Sequence, residues 1–251
     1  GVSVEVGGVT TVLEDLLPRL IEQDPDNHYT IFHGSEKHRG RFRGATEFFF
    51  TAPSAFWWEN IRLPQILKRC HLDLLFCPKN LLLGFLAPRL KTAIMVYDLL
   101  YFPRGHIHLS EYLWADVLYM RLFMKRSVRR ADRIMTCSEN TKRDLVQLFG
   151  VEPRKIVPVP LGVTPPPGDL LDEGRLNAVR RKYDLAKPYI FYCGSLSPRK
   201  NVVRMLEAFA RIRDRIPHEF VVTAGKSWKD REVLGAVGRL GLSDRVSKPG
   251  G

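Results

Sequence analysis

The chain has 251 residues, 45% of them hydrophobic, which is enough for one large domain or two small ones around a real core. Its 39 Lys and Arg against 27 Asp and Glu leave a formal charge of +12, which favours anionic partners: nucleotides, nucleic acid or an acidic membrane surface. No apolar run approaches the roughly 18 to 20 residues of a spanning helix, and the first residues show no basic-then-apolar pattern. Cys70, Cys77, Cys137 and Cys193 form no C-x-x-C pair, and two of them sit in strand-like runs, so buried thiols in a reducing cytoplasm are expected rather than bridges or a metal site.

The chain opens with "GVSVEVGGVTTVLEDLL", in which Gly7 and Gly8 precede Val9, Val12, Leu13, Leu16 and Leu17 at helical spacing. Pro18 should kink this helix or end its first part, because it cannot donate to residue 14. Two glycines at a helix start let the backbone approach a phosphate closely; a tight turn before the helix is the plainer reading of the same pair.

Strand-like runs then alternate with helical patterns: "HYTIFHG", "LDLLFCP", "TAIMVYD", "DRIMTCS", "KIVPVPLG", "PYIFYCGS" and "EFVVTAG". The alternation predicts an α/β architecture of mostly parallel sheets with strands buried on both faces. A Pro/Gly-rich break, "PLGVTPPPGDLLDEG", separates five of these runs from the last two. The expected organisation is an N-terminal domain over 1–165, a linker over 166–187 and a partial second domain over 188–251.

Asp98 follows the strand "AIMVY", which places its carboxylate at a C-terminal sheet edge, where open α/β sheets bind ligands; orienting a sugar hydroxyl, assisting proton transfer and simply capping a turn are all open to it. His106 and His108 lie in a loop-like stretch, and two histidines at i and i+2 with no third ligand read as surface residues. "TCSENTKRDLVQLFG" reads as a strand, then Ser138 as N-cap, then a helix ended by Gly150. In "HLSEYLWADVLYMRLFMKRSVRRADRI", Tyr112, Leu113, Val117, Met120 and Phe123 alternate with Arg121, Lys125, Arg126, Arg129 and Arg130. A basic amphipathic helix of this kind lies on anionic lipid in some proteins, but a solvated face on a core helix is the commoner arrangement and the one expected here.

"CGSLSPRKNVVRMLEAFARI" has Val202, Met205, Leu206, Phe209 and Ile212 three and four apart, predicting a helix that starts near Ser197 or Asn201, either of which is a competent cap. A helix start is partially positive, so Arg199 and Lys200 are out of place there unless an anion joins them. Charge alone does not make the chain a nucleic-acid binder, since no groove-reading motif or base-stacking module is visible.

Taken together, "GGVTTVL", "FWWENIRLP", "LDLLFCPKN", "VYDLLYFP", "RRADRIMTCSENTKRDLVQLFGVEPRKIVPVPLGV" and "YIFYCGSLSPRKNVVRMLEAF" resemble the retaining glycosyltransferases of family 4, and most closely their mannosyltransferase-like branch. The resemblance implies a GT-B fold, with a Rossmann-like N-terminal domain and an incomplete second Rossmann-like domain. It implies transfer of a hexose, mannose included, from a nucleotide sugar to a glycan or lipid-linked acceptor with retention, without a metal or other cofactor; the expected location is the cytoplasm, with peripheral contact at the inner face of the membrane left open. Gly7, Gly8, Ser195, Arg199 and Lys200 are then diphosphate-binding residues and Asp98 a catalytic residue on the acceptor side. Fixed cations and helix N–H groups stabilise the negative charge that develops on a departing diphosphate.

Two departures stand out. The family has His where this chain has Tyr97, and it carries an E-x7-E pair beyond the position of Gly251, so the chain is expected to hold the acceptor domain and the first half of the donor domain. A non-catalytic nucleotide- or glycan-binding scaffold with the same fold is the competing expectation.

Overall fold

Every strand pair is parallel in the computed structural model, which describes residues 8–34, 36, 39–50, 54, 57–82, 90–102, 113–165, 168, 172–223 and 230–248. The chain divides into two compact units, Gly1–Pro103 with Trp114–Thr164, and Arg104–Leu113 with Pro165–Gly251.

The first unit begins with α1 (Gly8–Gln23) and a two-stranded sheet of β1 (Thr30–His33) and β2 (Thr46–Phe49). A π-helical turn, Trp58–Arg62, leads into α2 (Leu63–Leu67). A four-stranded sheet follows in chain order: β3 (Leu74–Cys77), β4 (Lys91–Val96), β5 (Arg133–Thr136) and β6 (Ile156–Pro158). α3 (Trp114–Arg130) and α4 (Glu139–Phe149) are the described helices of its crossovers. Ile94 pairs with Ile134, and Ile134 with Ile156, so one apolar row crosses three strands, each side chain no more than 2% exposed. Met124 and Val128 of α3 and Leu145 and Phe149 of α4 close over that row. Each such side chain contributes about 1.5–3 kcal/mol by leaving water.

The second unit holds α5 (Glu173–Lys182), β7 (Tyr189–Cys193), α6 (Val202–Ile212), β8 (Glu219–Thr223), α7 (Asp230–Arg239) and β9 (Val246–Ser247), with sheet order β7-β8-β9. Its core joins Leu196, Val202, Leu206 and Phe209 to Phe220, Val222, Val233 and Leu242. α5 lies inside the stretch read as linker; Asp172 caps it by accepting from the Arg175 N–H, and none of its residues is buried.

The seven strand-like runs all form strands, while β2 and β9 were not anticipated. β9 has two residues and exists through its pairing with β8, Phe220 opposite Val246, so no local pattern announces it. β2 is a short aromatic run beside basic turns, and its partner in β1 defines it.

Four expectations need correction. α1 does not end at Pro18: the helix runs on to Gln23, because proline removes one N–H bond without preventing the residues beyond it from bonding. β7 is not buried on both faces: Tyr189, Ile190 and Phe191 are exposed, because it is the edge of its sheet and α6 and α7 build their core on β8. Cys193, at the end of that edge strand, is therefore an exposed thiol, and Cys70 and Cys137 are half-buried; only Cys77 is fully enclosed. In α3 Met124, Ser127 and Val128 are buried and Met120 packs against the core as expected, whereas Phe123, and Leu113 just before the helix, face solvent.

Candidate functional site

β4 delivers Asp98 two residues beyond its last paired residue, Val96, at the C-terminal edge of the sheet. Segments beyond the two neighbouring strands hold that tip. Asn80, just past β3, accepts the Tyr97 N–H on Oδ1 at 3.2 Å and donates through Nδ2 to the Asp98 carbonyl at 3.5 Å. From beyond β5, the Cys137 thiol at 3.1 Å and the Thr141 hydroxyl at 3.3 Å both donate to the Tyr97 carbonyl. Ser138 is the N-cap of α4, as its spacing predicts, accepting the Thr141 N–H at 3.1 Å, and Gly150 ends the helix in the left-handed conformation with φ 63°.

The Asp98 carboxylate accepts the Leu100 N–H on Oδ1 at 3.2 Å, which is the geometry of a turn aspartate. Among the described residues, no hydrogen bond reaches its other oxygen. Tyr97 is half-buried, and burial first, then the neighbouring Cys137, pushes its phenol above the usual range. It remains a neutral donor at physiological pH and does not supply the titrating group that a histidine would.

In the second unit the loop after β7 is built from backbone constraints. Gly194 has φ 150° and donates its N–H to the Thr223 carbonyl at 3.1 Å. A Cβ there would stand 3.2 Å from the Tyr192 hydroxyl, which donates to the Ser195 carbonyl at 2.7 Å. Leu196 is buried and pins the loop to the core, and the exposed Ser195 hydroxyl donates to Ser197 at 3.4 Å. Pro198–Lys200 then form a 3-10 turn, with the Lys200 N–H on Ser197 and the Asn201 N–H on Pro198.

Asn201 has φ 57° and ψ 36°, and α6 starts immediately after it. Neither anticipated cap is made. Asn201 stands at the helix start in a left-handed rather than an extended conformation and its side chain makes no cap bond, and Ser197 lies one turn too early. The start of α6 thus carries no side-chain cap and no acidic residue in its first turn, and exposed Arg199 and Lys200 precede it. Arg199 is near enough to Tyr192 for its charge to oppose the rise that burial causes in that phenol.

Gly8 is the first residue of α1, and a Cβ there would meet nothing within 4 Å, so packing does not demand a glycine. Gly7, His106, His108 and Tyr112 lie outside the described residues. The structure thus places Asp98 in the first unit among Asn80, Tyr97 and Thr141, and Ser195, Arg199 and Lys200 in the second unit on one turn. The supporting roles of Asn80 and Tyr192 were not foreseen. Their signal was positional, a polar residue at the exit of a neighbouring parallel strand and a tyrosine two residues before a glycine.

A model of Glycosyltransferase Family 4 matches residues 6–165. The O-antigen chain mannosyltransferase B of Escherichia coli is 25% identical over 152 residues, covering 58% of this chain and 38% of that protein. HepE of Anabaena, solved with UDP and glucose, superposes with a TM-score of 0.66 at 15% identity over 99% of this chain and 67% of its own. WaaG, a glycosyltransferase involved in lipopolysaccharide biosynthesis, gives a TM-score of 0.60 at 12% identity over 97% of this chain and 67% of its own. The alignment with the curated relative spans less than two fifths of that protein's length. The solved structures share the parallel α/β architecture of the GT-B type, and the chain itself belongs to glycosyltransferase family 4.

Proposed function

We propose that the protein to which this chain belongs transfers a hexosyl unit from a nucleoside diphosphate sugar to a growing glycan with retention of configuration. The observation that carries the reading is the turn before α6, where Arg199 and Lys200 stand beside an uncapped helix start held by a left-handed Asn201. As the bond from the anomeric carbon to the diphosphate breaks and the bond to the acceptor oxygen forms, negative charge grows on the departing phosphate. In this reading Arg199, Lys200 and the first N–H groups of α6 stabilise that charge. The acceptor hydroxyl passes its proton to the departing phosphate oxygen in the same transfer, so that charge and atoms balance. Mannose as the sugar fits the Escherichia coli relative, and a uridine diphosphate donor fits the HepE complex. Metal independence belongs to the proposal, since the two cations supply charge that a metal supplies elsewhere.

The experiment is a calorimetric titration of the chain with UDP, GDP and their sugar conjugates, repeated with Arg199→Ala and Lys200→Ala and with a chelator present. Charge-assisted contacts contribute about 1.5 to 3 kcal/mol each, so each alanine should weaken binding roughly tenfold or more. Unchanged affinity in the double variant removes the turn from the donor site, and a metal requirement removes the metal-independent part. Nucleotide binding without transfer, in the full-length protein supplied with acceptor, favours the scaffold.

A further inference from the structure

β6 is the last strand of the four-stranded sheet, so one of its sides faces β5 and the other faces none of the described strands. In a parallel ladder the N–H and C=O of one residue point to the same side, and successive residues alternate. The Val159 N–H donates to the Thr136 carbonyl at 2.7 Å, and Pro158 is the residue opposite Thr136. Val157 and Val159 therefore turn their backbone groups to β5. Ile156 and Pro158 turn theirs outward, and Pro160 follows in the same alternation.

An open sheet edge is a row of unpaired donors and acceptors, a template for another strand. At β6 every outward donor is accounted for. Pro158 and Pro160 have no N–H. The Ile156 N–H donates to the Pro153 carbonyl, within the 3-10 turn Pro153–Lys155 that precedes the strand. The outer side of β6 thus offers carbonyls and no free donor. Its side chains are of the kind that makes an open edge hazardous: Val157, Val159, Leu161 and Val163 are 48%, 39%, 45% and 87% exposed, and no charged residue occurs from Ile156 to Thr164. Apolar, uncharged, extended segments with intact donors pair with copies of themselves. β7, an edge of the other sheet, is built differently. The Pro188 carbonyl and the Gly194 N–H both face β8, which turns Tyr189, Phe191 and Cys193 outward, and none of these is proline.

We propose that Pro158 and Pro160, together with the Pro153 carbonyl, form an edge guard that keeps the sheet of the first unit from adding a strand of a second copy of the chain. The guard is independent of glycosyl transfer: it decides which side of the first unit stays unpaired, whatever the donor or acceptor. Proline is the means because lysine and glutamate, the other common guards of an edge, are absent from this stretch.

The test restores the donors. Pro158→Thr with Pro160→Thr returns an N–H to each outward position and leaves the ladder to β5 untouched. In sedimentation velocity over a concentration series, the double variant should associate at concentrations about tenfold or more below those at which the parent does, the factor expected from restored backbone bonds. Hydrogen exchange should find the new amides protected in the associated species and open in dilute samples. Adding Val159→Lys, a charge on the exposed row, should return the double variant to the behaviour of the parent. Circular dichroism of dilute samples checks the fold, and the single variants Pro158→Thr and Pro160→Thr, each with a smaller shift of the same kind, carry the comparison if the double variant has lost it. Folded proline variants that associate no more than the parent overturn the proposal. So does a gain in association that Val159→Lys leaves intact, or one that Phe191→Lys abolishes, which assigns the contact to the edge of β7.

Discussion

The Tyr192 hydroxyl donates to the Ser195 carbonyl at 2.7 Å, beside Gly194, whose φ is 150° and whose added Cβ would stand 3.2 Å from that oxygen. This bond closes the turn that leads to Arg199 and Lys200. A net hydrogen bond of this kind contributes about 0.5–1.5 kcal/mol, so Tyr192→Phe should lower nucleotide affinity by roughly two- to tenfold while the melting midpoint moves little. Gly194→Ala, which drives a Cβ against the same hydroxyl and forces a strained backbone, should cost at least as much. Calorimetry on both variants checks this; full affinity in both separates the turn from the donor site.

Asn80 is expected to act through Asp98. It holds the backbone on both sides of the peptide leading into that residue. Asp98→Asn in the full-length protein should reduce turnover and leave nucleotide affinity nearly unchanged, because the role proposed for Asp98 is on the acceptor and not on the diphosphate. Asn80→Ala should give a smaller drop in kcat of the same kind, with Asn80→Asp, which keeps the Oδ1 acceptor, in between. Steady-state kinetics beside a nucleotide titration distinguish the outcomes. If Asp98→Asn loses neither, the Leu100 contact is its whole role and it is a turn residue.

Gly8→Ala separates folding from ligand approach. A Cβ at this position meets no atom within 4 Å, and alanine restricts the unfolded chain, so stability should stay level or rise by about 0.4–1 kcal/mol. If the α1 start approaches a phosphate, as family membership leads one to expect, nucleotide affinity should fall although stability does not. Thermal melts and titrations on the same sample read both quantities, and a variant that binds as the parent does would return Gly8 to an ordinary helix start.

Asp132 predicts a pH-dependent part of stability. Its carboxylate accepts the Thr92 N–H and hydroxyl, both at 2.9 Å, and Lys91 stands 3.7 Å away. The Thr92 backbone bond foremost, with the Thr92 hydroxyl, Lys91 and Lys155, holds its pKa below the ordinary 3.8 despite partial desolvation. A depressed folded pKa means the ionised form is favoured by folding, so the contribution is complete above about pH 5 and is lost as pH falls below 3.8 through the folded value. With the side chain 44% exposed and screened, Asp132→Asn should cost only about 1 kcal/mol at neutral pH. That difference should shrink toward zero in acid; denaturant titrations at pH 7 and below pH 3.5 measure it, and a difference independent of pH would mean packing rather than charge.

The sequence by itself determined the elements whose signals are local. Periods of two and of about 3.6 residues, the Ser138 cap, the Gly150 stop and the strand exit before Asp98 all depend on neighbours within one turn of chain, so they were legible from the order of residues. Tertiary structure decided whatever depends on a partner distant in sequence. β9 exists because Phe220 lies opposite Val246, and β7 is exposed because it is the strand left at the edge. Asn80 joins Asp98 because adjacent parallel strands bring their exits together. The same limit explains the turn before α6 and the outer face of α3. "SPRKN" announced a cap, but in the fold Asn201 is left-handed, its N–H is bonded to Pro198, and the helix start carries no side-chain cap. The apolar residues of α3 announced one core face, and only the packing of Met124 and Val128 against the sheet showed that Trp114, Leu118 and Leu122 were not part of it. Periodicity records which residues share a face; burial depends on what packs against that face.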